Sequence, residues 1–124
     1  MARTPRKGAG SLRARLNFQK RGDSDDGMGT VIPGVGPYAT VFTDAVELIP
    51  RMGSEAVMAS RLQGVQPYTA RVRASSWTRQ VTPAWRAVDA RNGAVYAIVS
   101  PFVDLDQKGA YLEGLLTVGG QTAG

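Results

Sequence analysis

Gly10-Ser11-Leu12-Arg13-Ala14-Arg15-Leu16-Asn17-Phe18-Gln19-Lys20-Arg21 is the stretch whose reading decides the fold. Leu12, Ala14, Leu16 and Phe18 alternate with Arg13, Arg15, Asn17 and Gln19. Successive side chains of a strand point to opposite faces, so this stretch has one apolar face and one basic-polar face. A helix would scatter the four apolar residues round its circumference. Such a strand needs a core over its Leu/Phe face, and the rest of the chain must supply it.

The later segments do so. Tyr38 to Ile49 is rich in Val, Thr and aromatic residues and reads as a second strand. Its halves disagree in phase: Phe42, Val46 and Leu48 share a face with Asp44, while Val41, Ala45 and Ile49 share the other with Glu47. A bulge near Asp44 is expected to reconcile them, and Pro50 to end the strand. In Pro67 to Ser75, Tyr68, Ala70, Val72 and Ala74 face one way and Thr69, Arg71 and Arg73 the other. Trp85–Asp89 and Ala94–Ser100 flank Arg91-Asn92-Gly93, the pattern of a hairpin with a type I′ turn. Pro101 to Gly109 reads as a polar turn region and Tyr111 to Val118 as the last strand.

The one good helix candidate is Gly53 to Gly64, with a helix expected over about 53–63. Ser54 suits the cap, Glu55 the positive end of the dipole, Arg61 the last turn and Gly64 the C′ position. Met58 and Leu62 form a narrow apolar stripe, flanked by Glu55 and Ala59. So short and weakly apolar a helix is marginal alone and needs docking. Six strands and one short helix predict a mainly β fold, a small antiparallel barrel or sandwich that hides its edges. Residues 10–118 form its single domain, between a flexible basic tail (1–9) and a flexible C-terminal tail (119–124).

Composition narrows the chemistry. The 124 residues suffice for one domain with one modest core. Cys and His are absent, which removes thiol nucleophiles, disulfides, His bases and the usual zinc sites. The net charge is +5, and seven of fifteen basic residues precede the first acid, Asp23. Arg3, Arg6 and Lys7 lie in the tail, where they contact a polyanion or an acidic protein surface, or are simply solvated. No signal peptide is evident and no apolar run approaches the ~20 residues that span a bilayer, so a soluble protein made in the cytoplasm is expected, with no membrane partner.

Gly22 to Gly36 holds five Gly, one Pro and three Asp. At about fifteen residues it is long for a hairpin connection, usually about 2 to 5, so it is mobile or used for contact. Asp23, Asp25, Asp26 and Met28 are its candidate contact residues. A calcium loop counted from Asp23 fails, because Met28 and Gly34 occupy the positions that need Gly and an acid. Gly34-Val35-Gly36 is followed by Pro37 and a strand, which rules against a dinucleotide fingerprint. No Ser has a base nearby in sequence and no carboxylate pair stands out, so no catalytic, cofactor or metal residue is assigned. Trp77-Thr78-Arg79 and Trp85-Arg86 set aromatics beside guanidinium groups, as in a stacking platform for single-stranded nucleic acid; core packing for Trp85 and interface packing for Trp77 are the commoner fates.

With these segments placed, the chain resembles the head-tail joining family of tailed bacteriophages, the head-closure, stopper or adaptor proteins of the neck, which also occur in phage-like gene transfer particles. Gly10-Ser11-Leu12-Arg13 through Phe18-Gln19-Lys20-Arg21 looks like the opening G-x-L-R…F-Q-x-R strand, and Asp26-Gly27-Met28-Gly29 like the D-G-x-G turn after it. Pro50, Gly53 and Glu55 match P-x-x-G-x-E, with Ala59 at a small position beyond. Tyr68 to Arg73 resembles the next strand, and Gly93, Tyr96 and Ile98 match a closing G-x-x-Y-x-I hairpin. The order of these motifs from about Gly10 to Val118 carries the likeness. The family's usual Trp early in the second strand is replaced by Tyr38 and Phe42, the first loop is longer, and the basic tail is extra.

The resemblance implies a non-enzymatic β-barrel subunit of a homo-oligomeric ring of six or twelve copies, assembled in a bacterial host cytoplasm and carried in the particle's neck. A portal or adaptor ring would lie above it, a tail terminator or tail tube below, and packaged double-stranded DNA in the channel. It places Arg51, Glu55, Met58, Arg61 and Leu62 near the channel or the adjacent subunit. From the residues alone, a monomeric nucleic-acid-binding barrel is the alternative.

Overall fold

The computed structural model describes residues 12–52, 55–62, 64–105 and 107–119. Its strands are β1 (Ala14–Arg21), β2 (Ser24–Asp25), β3 (Val31–Ile32), β4 (Tyr38–Pro50), β5 (Val65–Arg73), β6 (Arg86–Asp89), β7 (Val95–Ile98) and β8 (Tyr111–Gly119). One helix, α1 (Glu55–Leu62), joins β4 to β5. Six strands close a barrel in the order β1-β4-β5-β8-β7-β6, and β2 and β3 form a separate two-stranded arm. Every pairing is antiparallel, and β1 completes the ring by pairing with β4 on one side and β6 on the other. Closure removes the free edges that an open sheet would expose.

The alternation in β1 does what its sequence predicts: Leu16 and Phe18 are fully buried, while Arg15 and Arg21 are exposed. Their interior neighbours follow from register. Phe18 lies opposite Phe42 on β4 and Ala87 on β6, and Val72 on β5 lies between Val46 and Leu112. Tyr68 and Ala74 pack at the margins of this core, so the inward face read for β5 holds.

Three local expectations are corrected. The bulge sits at Val41, not near Asp44: Phe18 pairs with Phe42 and Gln19 with Thr40, leaving Val41 as the extra residue. Val41 and Phe42 can then both pack on the core, which resolves the phase conflict earlier in the strand. The β6–β7 hairpin forms around Asn92-Gly93, but only Gly93 has positive φ (77°) and Asn92 does not. The Asp89 carboxylate accepts from the Arg91 and Asn92 amides at 2.7 and 3.2 Å, which holds those residues in an ordinary right-handed turn.

The third correction concerns Pro101–Gly109, which is more than a polar turn. Val103 pairs with Glu113 and extends the wall beside β8, while Phe102 turns inward and meets Phe18 edge-on at 6.0 Å. Gly114 makes this possible, because a Cβ there would stand 2.8 Å from the Phe102 ring.

Candidate assembly surfaces

The long first loop is a built hairpin arm. Gly22 N donates to Pro37 O at 3.0 Å and Gly36 N to Gly22 O at 2.8 Å, closing its base. Arg21 at the end of β1 donates from Nε to Gly36 O (2.8 Å) and from a terminal nitrogen to Val35 O (2.7 Å). Gly36 is required by space: a Cβ would lie 2.8 Å from Gly22 O. Further out, Ser24 pairs with Ile32 and Asp25 with Val31.

The tip is organised by two of the sequence-predicted contact residues. Asp25 Oδ1 accepts from Gly27 N (2.9 Å), and Asp26 Oδ1 from Met28 N (2.7 Å) and Thr30 N (3.2 Å). The Met28 amide, seconded by that of Thr30, holds the Asp26 carboxyl below its ordinary value of 3.8. Met28 at the apex is 87% exposed, and Val31, Ile32 and Val35 are exposed beneath it. The loop reading named the acids and Met28 but passed over Val31, Ile32 and Val35. The signal was present, since a β-branched pair between turn-forming residues is a strand signature.

Helix α1 packs on β5, and its buried anchor is Val57. Met58 and Leu62 of the apolar stripe point away, Leu62 being 85% exposed. Arg51, Glu55 and Arg61 are exposed with them, and Arg61 reaches Met58 Sδ at 4.0 Å. Gly64 ends the helix with φ 82° and donates to Arg61 O at 3.0 Å, as its C′ position predicts. Gly53 and Ser54, the expected start and cap, lie outside the described residues, as do Arg3, Arg6 and Lys7.

A cleft of about 230 Å³ opens on the outer wall of β5 and β8, bounded by Arg51, Thr69, Val103, Leu105, Glu113 and Leu115. Beside it Glu47 and Arg71 form an ion pair at 3.4 Å, and the Arg71 guanidinium lies 3.9 Å from the Tyr111 ring centroid. Val99, Val103 and Leu105 on this side are exposed.

The opposite wall is basic. Arg15, Arg21 and Arg86 stand on or beside the outer faces of β1 and β6, and among the described residues none of them pairs with a carboxylate. Arg86 stacks on Tyr38 at 4.0 Å and donates to Gln19 Oε1 at 2.8 Å. No stacking platform forms here. Trp85 is buried, and Trp77 is the one exposed aromatic ring among the described residues, its ring 6.0 Å from that of Phe42. Non-specific single-strand binding needs successive exposed rings. Nor does any group of three or more acidic side chains among the described residues form a metal site.

Residues 8–119 match the family of phage head completion proteins. The chain belongs to that family. A head completion protein is a component of the virion, and the match spans the whole barrel, arm and helix. Among solved structures, the fold is similar to a chain from the virion of a native gene transfer agent particle: 17% identity, TM-score 0.57, covering 89% of this chain and 98% of that one. No curated protein matches in sequence. The family match bears out the head-tail joining family read from the sequence, and the structural likeness bears out the small β-barrel fold.

Proposed function

We propose that this chain forms a ring between the portal and the tail of a phage or phage-like particle, joins head to tail and helps retain packaged DNA. The observation that carries the proposal is where apolar surface is left over. The barrel core is complete, yet Met28, Ile32, Met58, Leu62, Val103 and Leu105 are exposed on three separate projections. A monomer rarely exposes so much apolar side chain in so many places, whereas a subunit with neighbours on several sides buries it on assembly.

The neck reading assigns each surface a partner. Arg51, Glu55, Met58, Arg61 and Leu62 face the channel or the adjacent subunit, and the arm meets a neighbouring copy or ring. The basic wall of Arg15 and Arg86 meets DNA or an acidic surface of the portal or adaptor ring, and so do the tail residues Arg3, Arg6 and Lys7. Contacts of that last kind weaken with salt. The tail terminator or tail tube lies on the far side. This role needs no catalytic group and no cofactor.

Counting copies tests it. Quantitative mass spectrometry of purified particles should give six or twelve copies per neck, and electron microscopy a closed ring next to the portal. One or two copies per neck would overturn the reading. A free barrel that stays monomeric on the portal but binds DNA in a salt titration would favour the nucleic-acid-binding alternative.

A further inference from the structure

We infer that the arm of one copy seats in the outer cleft of the next, with Val31 against Leu105 and Val103 and the acids on the same face of the arm, Asp23 and Asp25, towards Arg51. The inference rests on the ring reading and specifies its contact. Four observations lead to it.

The first is chemistry. Between Gly22 and Pro37 the arm has three acids, Asp23, Asp25 and Asp26, and no Lys or Arg, beside its exposed apolar residues. The cleft offers exposed Val103 and Leu105 with Arg51 at its edge. Among the described residues its one lining carboxylate, Glu113, stands next to Arg71 in the register of β5 and β8. Apolar surface therefore meets apolar surface, and acids meet an arginine.

The second is size. A cleft of about 230 Å³ falls below the ~300–1,000 Å³ usual for small-molecule sites and suits one or two side chains. The third is order. Hydrogen bonds at the base and tip hold the arm as a hairpin, so less ordering entropy opposes its docking.

The fourth is topology, which makes the contact intermolecular. The arm leaves the barrel at the Tyr38 end of β4, whereas Arg51 follows the other end, Pro50. The strand between them has 13 residues, roughly 40 Å at ~3.3 Å each. β1 and β8 stand three strands apart in the six-stranded ring, on opposite walls, and no arm residue lines the cleft. A donor on one wall and an acceptor on the other make a head-to-tail contact, the kind that generates a closed ring when the rotation fits.

The chain has no Cys, so a designed pair can be read cleanly. Particles are assembled with Val31→Cys and Leu105→Cys in one chain and oxidised. The expected result is a ladder of cross-linked species ending at the ring's copy number. Single variants should give no ladder, and an equal mixture of the two should give cross-linked dimers. Closed rings without cross-linking would overturn this contact and leave the ring reading standing. Absence of any ring from unmodified particles would overturn both. Independently, Asp23→Arg and Arg51→Asp should each lower ring yield several-fold, and together they should restore it; failure of the double change to rescue counts against the pairing.

Discussion

Glu47 and Arg71 face each other across β4 and β5 on the outside of the barrel, 3.4 Å apart, and both side chains are almost fully buried. An outward-facing position would ordinarily keep such groups in water. Here the Tyr111 ring covers the guanidinium, its centroid 3.9 Å away. Breaking a buried pair by removing one member costs about 3–5 kcal/mol. Glu47→Ala should therefore lower thermal stability sharply. A joint Glu47→Leu, Arg71→Met replacement should cost much less than the sum of the two single changes. Calorimetry of the two singles and the double checks this, and additive losses would show that the pair does not act as a unit.

Helix α1 separates two roles by one residue. Val57 is buried against the barrel, whereas Met58 is half-exposed. Met58→Asp should change the stability of the isolated subunit by no more than ~0.5 kcal/mol, the usual range for surface substitutions. Val57→Asp should destabilise it by about 2–4 kcal/mol through a buried unpaired charge. If α1 borders a neighbour or the channel, Met58→Asp particles should fail in ring formation or DNA retention while the subunit keeps its melting temperature. A large loss of melting temperature for Met58→Asp would remove the helix from the interface.

The barrel was legible where periodicity and core agree. In β1 one alternation sets both the strand and its buried face, and in β5 the inward set from Tyr68 to Ala74 follows the same rule. What stayed hidden depended on partners distant in sequence. The bulge at Val41 is defined by β1 pairing with β4, and the type of the Asn92-Gly93 turn by the Asp89 carboxylate. The inward turn of Phe102 depends on space at Gly114, twelve residues later. Of the candidate contact residues, the exposure of Met58 and Leu62 fits their narrow stripe, but the Arg51 cleft could not be read, because Val103 and Leu105 reach it through a bridge to β8.

Gly114 gives the third test. A methyl group there would meet Phe102 Cδ1 at 2.8 Å and Ser100 O at 3.1 Å. Gly114→Ala should push Phe102 from its edge-on contact with Phe18 and cost about 1–3 kcal/mol, as overpacked cores do. Because Ser100 and Gly114 also line the cleft, the same change should reduce ring assembly beyond what the stability loss explains. Unchanged melting with an unshifted Phe102 ring resonance would contradict the packing argument.

The arm's tip gives the last test, through Asp26. The Met28 and Thr30 amides donate to one oxygen of its carboxylate, at 2.7 and 3.2 Å, and these bonds favour the charged form. Its pKa in the folded arm therefore lies below the ordinary 3.8, which describes the unfolded chain. A group with a depressed folded pKa stabilises the fold above its unfolded value, and that contribution fades as pH falls through the folded one. The tip should thus hold its form at neutral pH and loosen only in acid below about 3.8. A carboxyl titration followed by NMR should place the Asp26 midpoint below that of a free peptide, and amide exchange at Met28 and Thr30 should quicken over the same interval once the intrinsic pH dependence of exchange is subtracted. Asp26→Asn keeps an acceptor oxygen but no titrating charge, so its tip should lose this pH dependence. If the Asp26 midpoint lies at or above 3.8, the amides do not hold the carboxylate, and the arm's tip is not preformed.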